Sequence, residues 1–513
     1  MEYCLRPFRT VLSYRMDASS PPRLSPTKQK RSSASVSLDR SLVQGIAWTS
    51  AAKWSGQVLS WASTLIVARL LSPEDYGLVG MASIYLALIT MLSEFGLGTT
   101  VTAMQDLTET ELAQLGGFAI IFGIASFLLS FAVAIPLGVF FHSPEMPAVV
   151  IVMSFAFIIT AFRILPAALL QRELQFRNLA FIDAARSTVL AFAMIAFAWF
   201  GFRYWTLVIG GILSSLIATV QTVMLRRHRI AWPRVAALRH AMRYSWHVLA
   251  SRLSWYAYSN ADFLVAGRLL GKAALGVYDF AWTLANVPVD KVTALVGQVT
   301  FPIFAAVKDD RAELSRYLLR ITEGVALLTF PAAAGMTLVA NDFVLAFLGT
   351  KWEGAIIPLR LLSVFVGFRS ITPLLPPVLL VLGESSFAMW NSIISAVVMP
   401  TAFYLMGTRW GTTGLALAWV VVYPFLAAML YWRVFTRLRL PLYQYLRALW
   451  PAASSTIVLC AVVVGVKSAT PAGLSHGTAF GIQTAAGAAA FGLAVLLLHR
   501  ARLVEFVQIV RSK

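Results

Sequence analysis

The chain has 513 residues, 58% of them hydrophobic and 13% charged, with a mean hydropathy of +0.74. This balance excludes a soluble globular enzyme or binding domain and marks an integral membrane protein. The formal net charge of +19 follows the connections between apolar segments, which excludes a nucleic-acid-binding face as its explanation.

Residues 1–42 are rich in Ser, Pro, Lys and Arg and lack an apolar core of signal-peptide length. They read as a disordered basic cytoplasmic tail, within which Met16 offers a second start. Apolar windows of about 20 residues, enough to cross a hydrocarbon core about 30 Å thick, then recur to the end of the chain. Spans are expected near 43–70, 75–96, 114–141, 147–171, 179–201 and 204–225, an N-terminal six-helix lobe over 43–225. A basic linker over 226–243, containing Pro233, is expected along the cytoplasmic interface. Spans near 244–268, 274–305, 317–348, 355–381, 386–407 and 411–434 make a C-terminal six-helix lobe over 244–434. Residues 435–513 add helices near 449–466 and 478–498 and a basic tail. The fold class is therefore all-α, a polytopic protein of about 14 transmembrane helices, because no strand alternation is sustained and lipid offers the backbone no partners. Most Lys and Arg fall on one side of this arrangement, which places both termini in the cytoplasm.

Chemistry that would need a resident group is not written in the chain. Cys4 and Cys460 form no disulfide framework or thiolate site, and the six histidines include no H-E-x-x-H pair. No phosphate-binding G-x-x-x-x-G-K-[ST] loop is present. The expectation is a protein without metal, cofactor or enzymatic activity.

Two halves of the chain repeat one another. Lys53, Arg69-Leu70-Leu71 and Gly77 recur at a constant offset of 199 residues as Arg252, Arg268-Leu269-Leu270 and Gly276. Phe162-Arg163 with Pro166 and Phe368-Arg369 with Pro373 form a second match that slips by one residue at the proline. Six spans per half return the chain to the same side, so the repeat is parallel, with the substrate site between the halves.

Cations inside the spans define the candidate site. Each costs about 2.5–3.5 kcal/mol at a lipid-facing helix centre, so they face protein or water. Asp183 and Arg186, three residues apart, suit a local ion pair, as do the adjacent Asp290 and Lys291. Lys53, Arg163, Arg252 and Arg369 have no carboxylate three or four residues away. They sit about 12–15 Å in from the cytoplasmic boundary, Arg369 slightly deeper. These four, with Arg186 and Lys291 as secondary members, are expected to line a cationic chamber for a phosphate-bearing lipid head group. Asp262 and Glu323 are the candidate positions for a coupling ion.

Several stretches carry a family resemblance. They are Ala68-Arg69-Leu70-Leu71-Ser72-Pro73-Glu74-Asp75-Tyr76-Gly77, Glu94-Phe95-Gly96-Leu97-Gly98 and Gln171-Arg172-Glu173-Leu174-Gln175-Phe176-Arg177. The second half adds Leu275-Gly276-Val277-Tyr278, Leu284-Ala285-Asn286-Val287-Pro288, Phe301-Pro302 and Lys351-Trp352. From about residue 41 to 435 the chain resembles the bacterial polysaccharide flippases of the multidrug, oligosaccharidyl-lipid and polysaccharide exporter superfamily, in the exopolysaccharide and colanic-acid-like branch. The resemblance implies two six-helix lobes around a V-shaped central cavity. It also implies alternating-access transport of undecaprenyl-diphosphate-linked oligosaccharide across the bacterial inner membrane, for exopolysaccharide or lipopolysaccharide O-antigen assembly. Membrane lipids, a polysaccharide polymerase and export machinery are the implied neighbours, and cavity cations the implied substrate contacts. Lys53 and Arg252 match those contacts by position in the helix. Most motif residues read as structural: Ser72 to Gly77 as an outside turn, Pro288 as a kink. The alternatives are a drug or cation antiporter of the same superfamily and, in another class, a membrane glycosyltransferase or polysaccharide polymerase. The enzyme would need a large catalytic loop, and the outside connections are short.

Overall fold

The computed structural model describes residues 59–94, 97–104, 107–234, 256, 259–471 and 473–500, and among these every regular element is a helix. In the first half α1 (Leu59–Leu70) leads into α2 (Pro73–Glu94), α3 (Leu97–Ala103), α4 (Glu109–Phe140), α5 (Met146–Arg172), α6 (Phe176–Trp199) and α7 (Trp205–Leu225). The second half opens with α8 (Ala261–Val265), which passes through a π turn at Ala266–Leu270 into the 36-residue α9 (Gly271–Ala306). Then follow α10 (Arg311–Phe343), α11 (Ile356–Arg369), α12 (Leu375–Val381), α13 (Ser385–Val421) and α14 (Tyr423–Leu438). The chain closes with α15 (Leu442–Ala469) and α16 (His476–Leu498).

Local chemistry sets several of these boundaries. Thr108 and Glu111 form a reciprocal capping box at the start of α4, and Asp310 accepts from the amides of Ala312 and Glu313 at the start of α10. Within α13, Gly411 adopts φ 58°, ψ −140°, a conformation closed to other residues, and it divides the run into two legs. The first leg corresponds to the span expected near 386–407, and the second, continued by α14, to that expected near 411–434. Ten helices or helix runs among the described residues are long and apolar enough to cross a membrane. The expected kink at Pro288 does not end α9, which stays helical through that position. A real break falls instead between α11 and α12, where a 3-10 turn over Thr372–Leu374 interrupts the expected 355–381 span.

The core is divided unequally along the membrane normal. Where α1 meets α2, α4 meets α5 and α10 meets α11, one continuous apolar cluster joins both halves, from Leu78, Met81 and Phe141 to Leu275, Tyr278 and Trp352. Toward the other face the clusters separate. One contains Leu115, Phe118 and Leu165 of the first half, and another contains Phe304, Leu318 and Leu375 of the second. The last pair, α15 and α16, packs on α10 through Val339, Leu459 and Val463. Asp342 anchors it by accepting from His476 and Gln483, each at 2.9 Å.

Candidate functional site

The two Arg-Leu-Leu…Gly repeats meet each other. A Cβ placed on Gly77 would lie 1.6 Å from the carbonyl oxygen of Lys272, and one on Gly276 would lie 1.8 Å from that of Pro73. Pro73 and Lys272 are themselves 199 residues apart, as are Gly77 and Gly276, so α2 and α9 cross through a pseudo-two-fold contact. In lipid there is no hydrophobic drive to bring helices together, and bare backbone at glycine permits the close approach that dispersion needs. Polar contacts reinforce this seam from both sides. Trp352 Nε1 donates to Ala68 O at 2.8 Å, Tyr256 Oη to Ile84 O at 2.7 Å, and Lys272 Nζ to Glu145 at 3.2 Å. Arg69 reaches Ala346 O at 3.5 Å, in the π turn that follows α10 of the other half. Its counterpart Arg268 does the same in reverse, meeting His142 at 2.6 Å and lying 5.2 Å above the Phe140 ring. The Glu145 carboxyl is held below the usual range, by its own backbone amide first and then by Ser143 and Lys272. Interhelical hydrogen bonds of this kind average about 0.6 kcal/mol in membranes, so each of these contacts by itself holds the seam only weakly.

Among the expected cations, Arg369 has a defined set of partners. It ends α11, and its Nη2 donates to Asn286 Oδ1 and to Asp290 Oδ1, both at 3.2 Å. The guanidinium also lies 5.8 Å from the Trp282 ring and 5.9 Å from Phe365. Trp282, Asn286 and Asp290 are spaced by four along α9, so one helical face presents the whole cradle. This corrects two expectations: Arg369 has a carboxylate partner, supplied across helices, and Asp290 serves it rather than Lys291. Sequence distance along one helix cannot reveal a partner on another. The pair is partly exposed, with side-chain exposures of 31% and 57%, and an exposed ion pair is worth about 0–1 kcal/mol. A phosphate oxygen could displace Asp290, or share the guanidinium with it, at little cost.

The other positions scatter. Arg163 is half-buried in α5, nine residues from its Arg172 end. Arg186 and Asp183 both sit at exposed positions of α6, and no ion pair within 4.0 Å joins them, against expectation. Lys291 is exposed. Lys53 and Arg252 lie outside the described residues. Asp262 is fully buried, its Oδ2 accepting from Tyr278 Oη at 2.7 Å and Trp419 Nε1 at 2.9 Å. Glu323 is half-buried on α10 beside a group of arginines, away from the Asp262 network. The sequence reading missed the seam partners His142, Glu145 and Ala346, although the 199-residue repeat already marked Arg69, Arg268, Gly77 and Gly276. Asp279, a charged residue within an expected span to which the sequence assigned no role, has its carboxylate 3.9 Å from where a Cβ on Gly80 would lie, within the seam.

This geometry can be set beside known proteins. A family model described as "Polysaccharide biosynthesis protein" matches residues 66–357, more than half of the chain and parts of both halves. The chain belongs to the polysaccharide biosynthesis protein family. Relatives within its reach include the Lipopolysaccharide biosynthesis protein WzxC of Escherichia coli, 25% identical over 75% of this chain and 79% of that one. The Succinoglycan biosynthesis transport protein ExoT of Rhizobium meliloti is 24% identical over 92% of this chain and 96% of that one. Among solved structures, the Lipid II flippase MurJ in an inward closed conformation superposes with a TM-score of 0.72 at 12% identity, covering 89% of this chain and 99% of that one. An inward-facing multidrug resistance MATE family transporter reaches 0.62 at 16% identity, covering 75% and 94%. At these identities the likeness is one of fold. It establishes the all-helical, multi-pass membrane architecture for this member of the polysaccharide biosynthesis protein family.

Proposed function

We propose that the chain is a transporter, not an enzyme, that moves a lipid-linked oligosaccharide with a diphosphate head group between the leaflets of the bacterial inner membrane. The observation that carries this is the near full-length match to a polysaccharide transport protein, within a family that spans both lobes. The seam face is then the outer one, because the basic ends Arg172, Arg226, Arg311 and Arg447 all lie opposite it, and both termini are cytoplasmic. A shared core at the seam and separate cores beyond it support an inward-accessible state, closed at the outer end. Arg369 supplies a water-exposed guanidinium for the phosphates, with Lys53, Arg163 and Arg252 as further contacts. Arg186 and Lys291 have exposed positions that allow the same role. Rocking about the pseudo-two-fold axis opens the seam outward. An inside-negative potential favours export of the anion by about 2.3 kcal/mol per charge per 100 mV. Asp262 and Glu323 stay as the positions for a coupling ion, and a polymerase and export machinery as onward partners.

The test is transfer of a fluorescent undecaprenyl-diphosphate oligosaccharide in proteoliposomes, comparing wild type with Arg369→Gln and with Lys53→Gln/Arg252→Gln. Transport is expected to fall at least tenfold in each. Full transport in both variants would overturn the cationic site, and no transport by the wild type would overturn the function. Cation antiport is the weaker reading, since the buried Asp262 carboxylate already accepts from Tyr278 and Trp419 on one oxygen and from the Phe263 amide on the other.

A further inference from the structure

A second cationic site lies outside the seam and the Arg369 cradle. The start of α10, the turn Leu438–Pro441 and the first turns of α15 enclose a pocket of 990 Å³ lined by Arg311, Arg316, Arg320, Arg439 and Arg447, with Glu323 the single acid. Some of that charge is already engaged. Arg311 donates to Arg437 O at 3.2 Å, and Arg316 pairs with Glu313. Arg439 and Arg447 are exposed and have no carboxylate within 4.0 Å among the described residues. Arg439 sits at φ 52°, ψ 36°, a left-handed cap where glycine is the usual occupant. The turn therefore tolerates a strained arginine that now faces the pocket.

The surroundings say what kind of anion fits. The pocket lies at the level where α10 and α15 begin and α14 ends, the head-group level of the face opposite the seam. On α15 the lining Arg447 is followed three residues on, about one turn further from the pocket, by Trp450, which is 59% exposed. Ile457 and Val464, also exposed, continue the apolar surface toward the other face. A cationic mouth above a lipid-facing apolar stripe matches a molecule with a phosphate at one end and acyl chains at the other.

We infer that this pocket is a binding site for the phosphate head group of an anionic phospholipid, whose chains lie along α15. The site is independent of the transported cargo, so it stands or falls separately from the transport reading. The experiment uses the purified full chain in neutral detergent, with native mass spectrometry of lipid adducts and either phosphatidylglycerol or phosphatidylcholine added. Wild type is expected to hold phosphatidylglycerol preferentially. Arg439→Gln/Arg447→Gln should weaken it about 30-fold, taking about 1 kcal/mol for each arginine at a membrane surface, with an unchanged melting temperature in lipid-free detergent. Arg439→Lys/Arg447→Lys should retain most of the binding, and raised salt should weaken the wild type. Equal phosphatidylglycerol retention by the glutamine variant would overturn the site, as would equal binding of phosphatidylcholine. Tighter binding of soluble pyrophosphate, or of undecaprenyl diphosphate, than of phosphatidylglycerol would overturn the phospholipid assignment. Should the double variant fail to fold, Arg447→Gln alone is read by the same measure, with about a fivefold loss expected.

Discussion

Adding a single methyl group at each repeat glycine should unlock the seam. In Gly77→Ala the new Cβ would meet the Lys272 carbonyl at 1.6 Å, and ordinary contact begins at 3.4 Å, so α2 and α9 must part by about 1.8 Å. The obstacle is backbone, which cannot swing aside as a side chain can. Overpacking of this kind costs about 1–3 kcal/mol, which shifts a two-state equilibrium by about 5–150-fold. Gly276→Ala acts on the same crossing, so the double variant should exceed either single one by less than their sum. Spin labels at Glu74 and Ala273, exposed positions again 199 residues apart, report the separation in a background lacking Cys4 and Cys460. The short-distance population is expected to dominate in wild type and to fall sharply in both alanine variants. Gly80→Ala is the control, because its Cβ would meet Leu275 at an unstrained 3.6 Å. An unchanged distance distribution in Gly77→Ala/Gly276→Ala, or an equal change in Gly80→Ala, would refute the reasoning.

Three further outcomes follow from the same contacts. Trp352→Phe should leave the fully buried Ala68 carbonyl unpaired, lowering stability by about 1–3 kcal/mol in thermal unfolding and widening the same label distances. In the Arg369 cradle, Asp290→Asn should cost under about 1 kcal/mol of stability, the pair being exposed, and should spare transport. Arg369→Gln should abolish it, and equal transport losses in the two would show that the pair matters only as a pair. Glu384 accepts from Arg433 at 2.7 Å and also pairs with Arg437; the Arg433 hydrogen bond, first among these effects, depresses its pKa below the ordinary 4.5. A depressed carboxylate stabilises above its unfolded pKa and loses that contribution as pH falls through the folded one. Wild type should therefore show an acid loss of stability below pH 4.5 that Glu384→Gln lacks, measured as melting temperature against pH.

The helical class, most of the spans among the described residues and the 199-residue repeat were legible in the sequence, because apolar length and a fixed offset are one-dimensional signals. The α12 break was not. It depends on Pro373, Pro376 and Pro377 acting together, whereas α5 runs through its lone Pro166 unbroken. Side-chain partners were the least legible part. Arg369 looked unpartnered because Asp290 is 79 positions away in the chain, and Asp183 with Arg186 looked paired because they are three apart. Depth in the bilayer marked Arg369 as a polar group needing water or protein, but could not say which. The arginines around Glu323 escaped notice because they come from two distant segments, each ordinary as a basic connection.

The crossing of α2 and α9 carries a consequence for how such a chain could arise. Residue 77 meets 272 while 276 meets 73, the reciprocal pattern that two identical subunits make across a two-fold axis. A single ancestral half bearing this one self-complementary patch could have assembled with a second copy of itself before any fusion joined them. The gate would then be older than the polypeptide that now contains it.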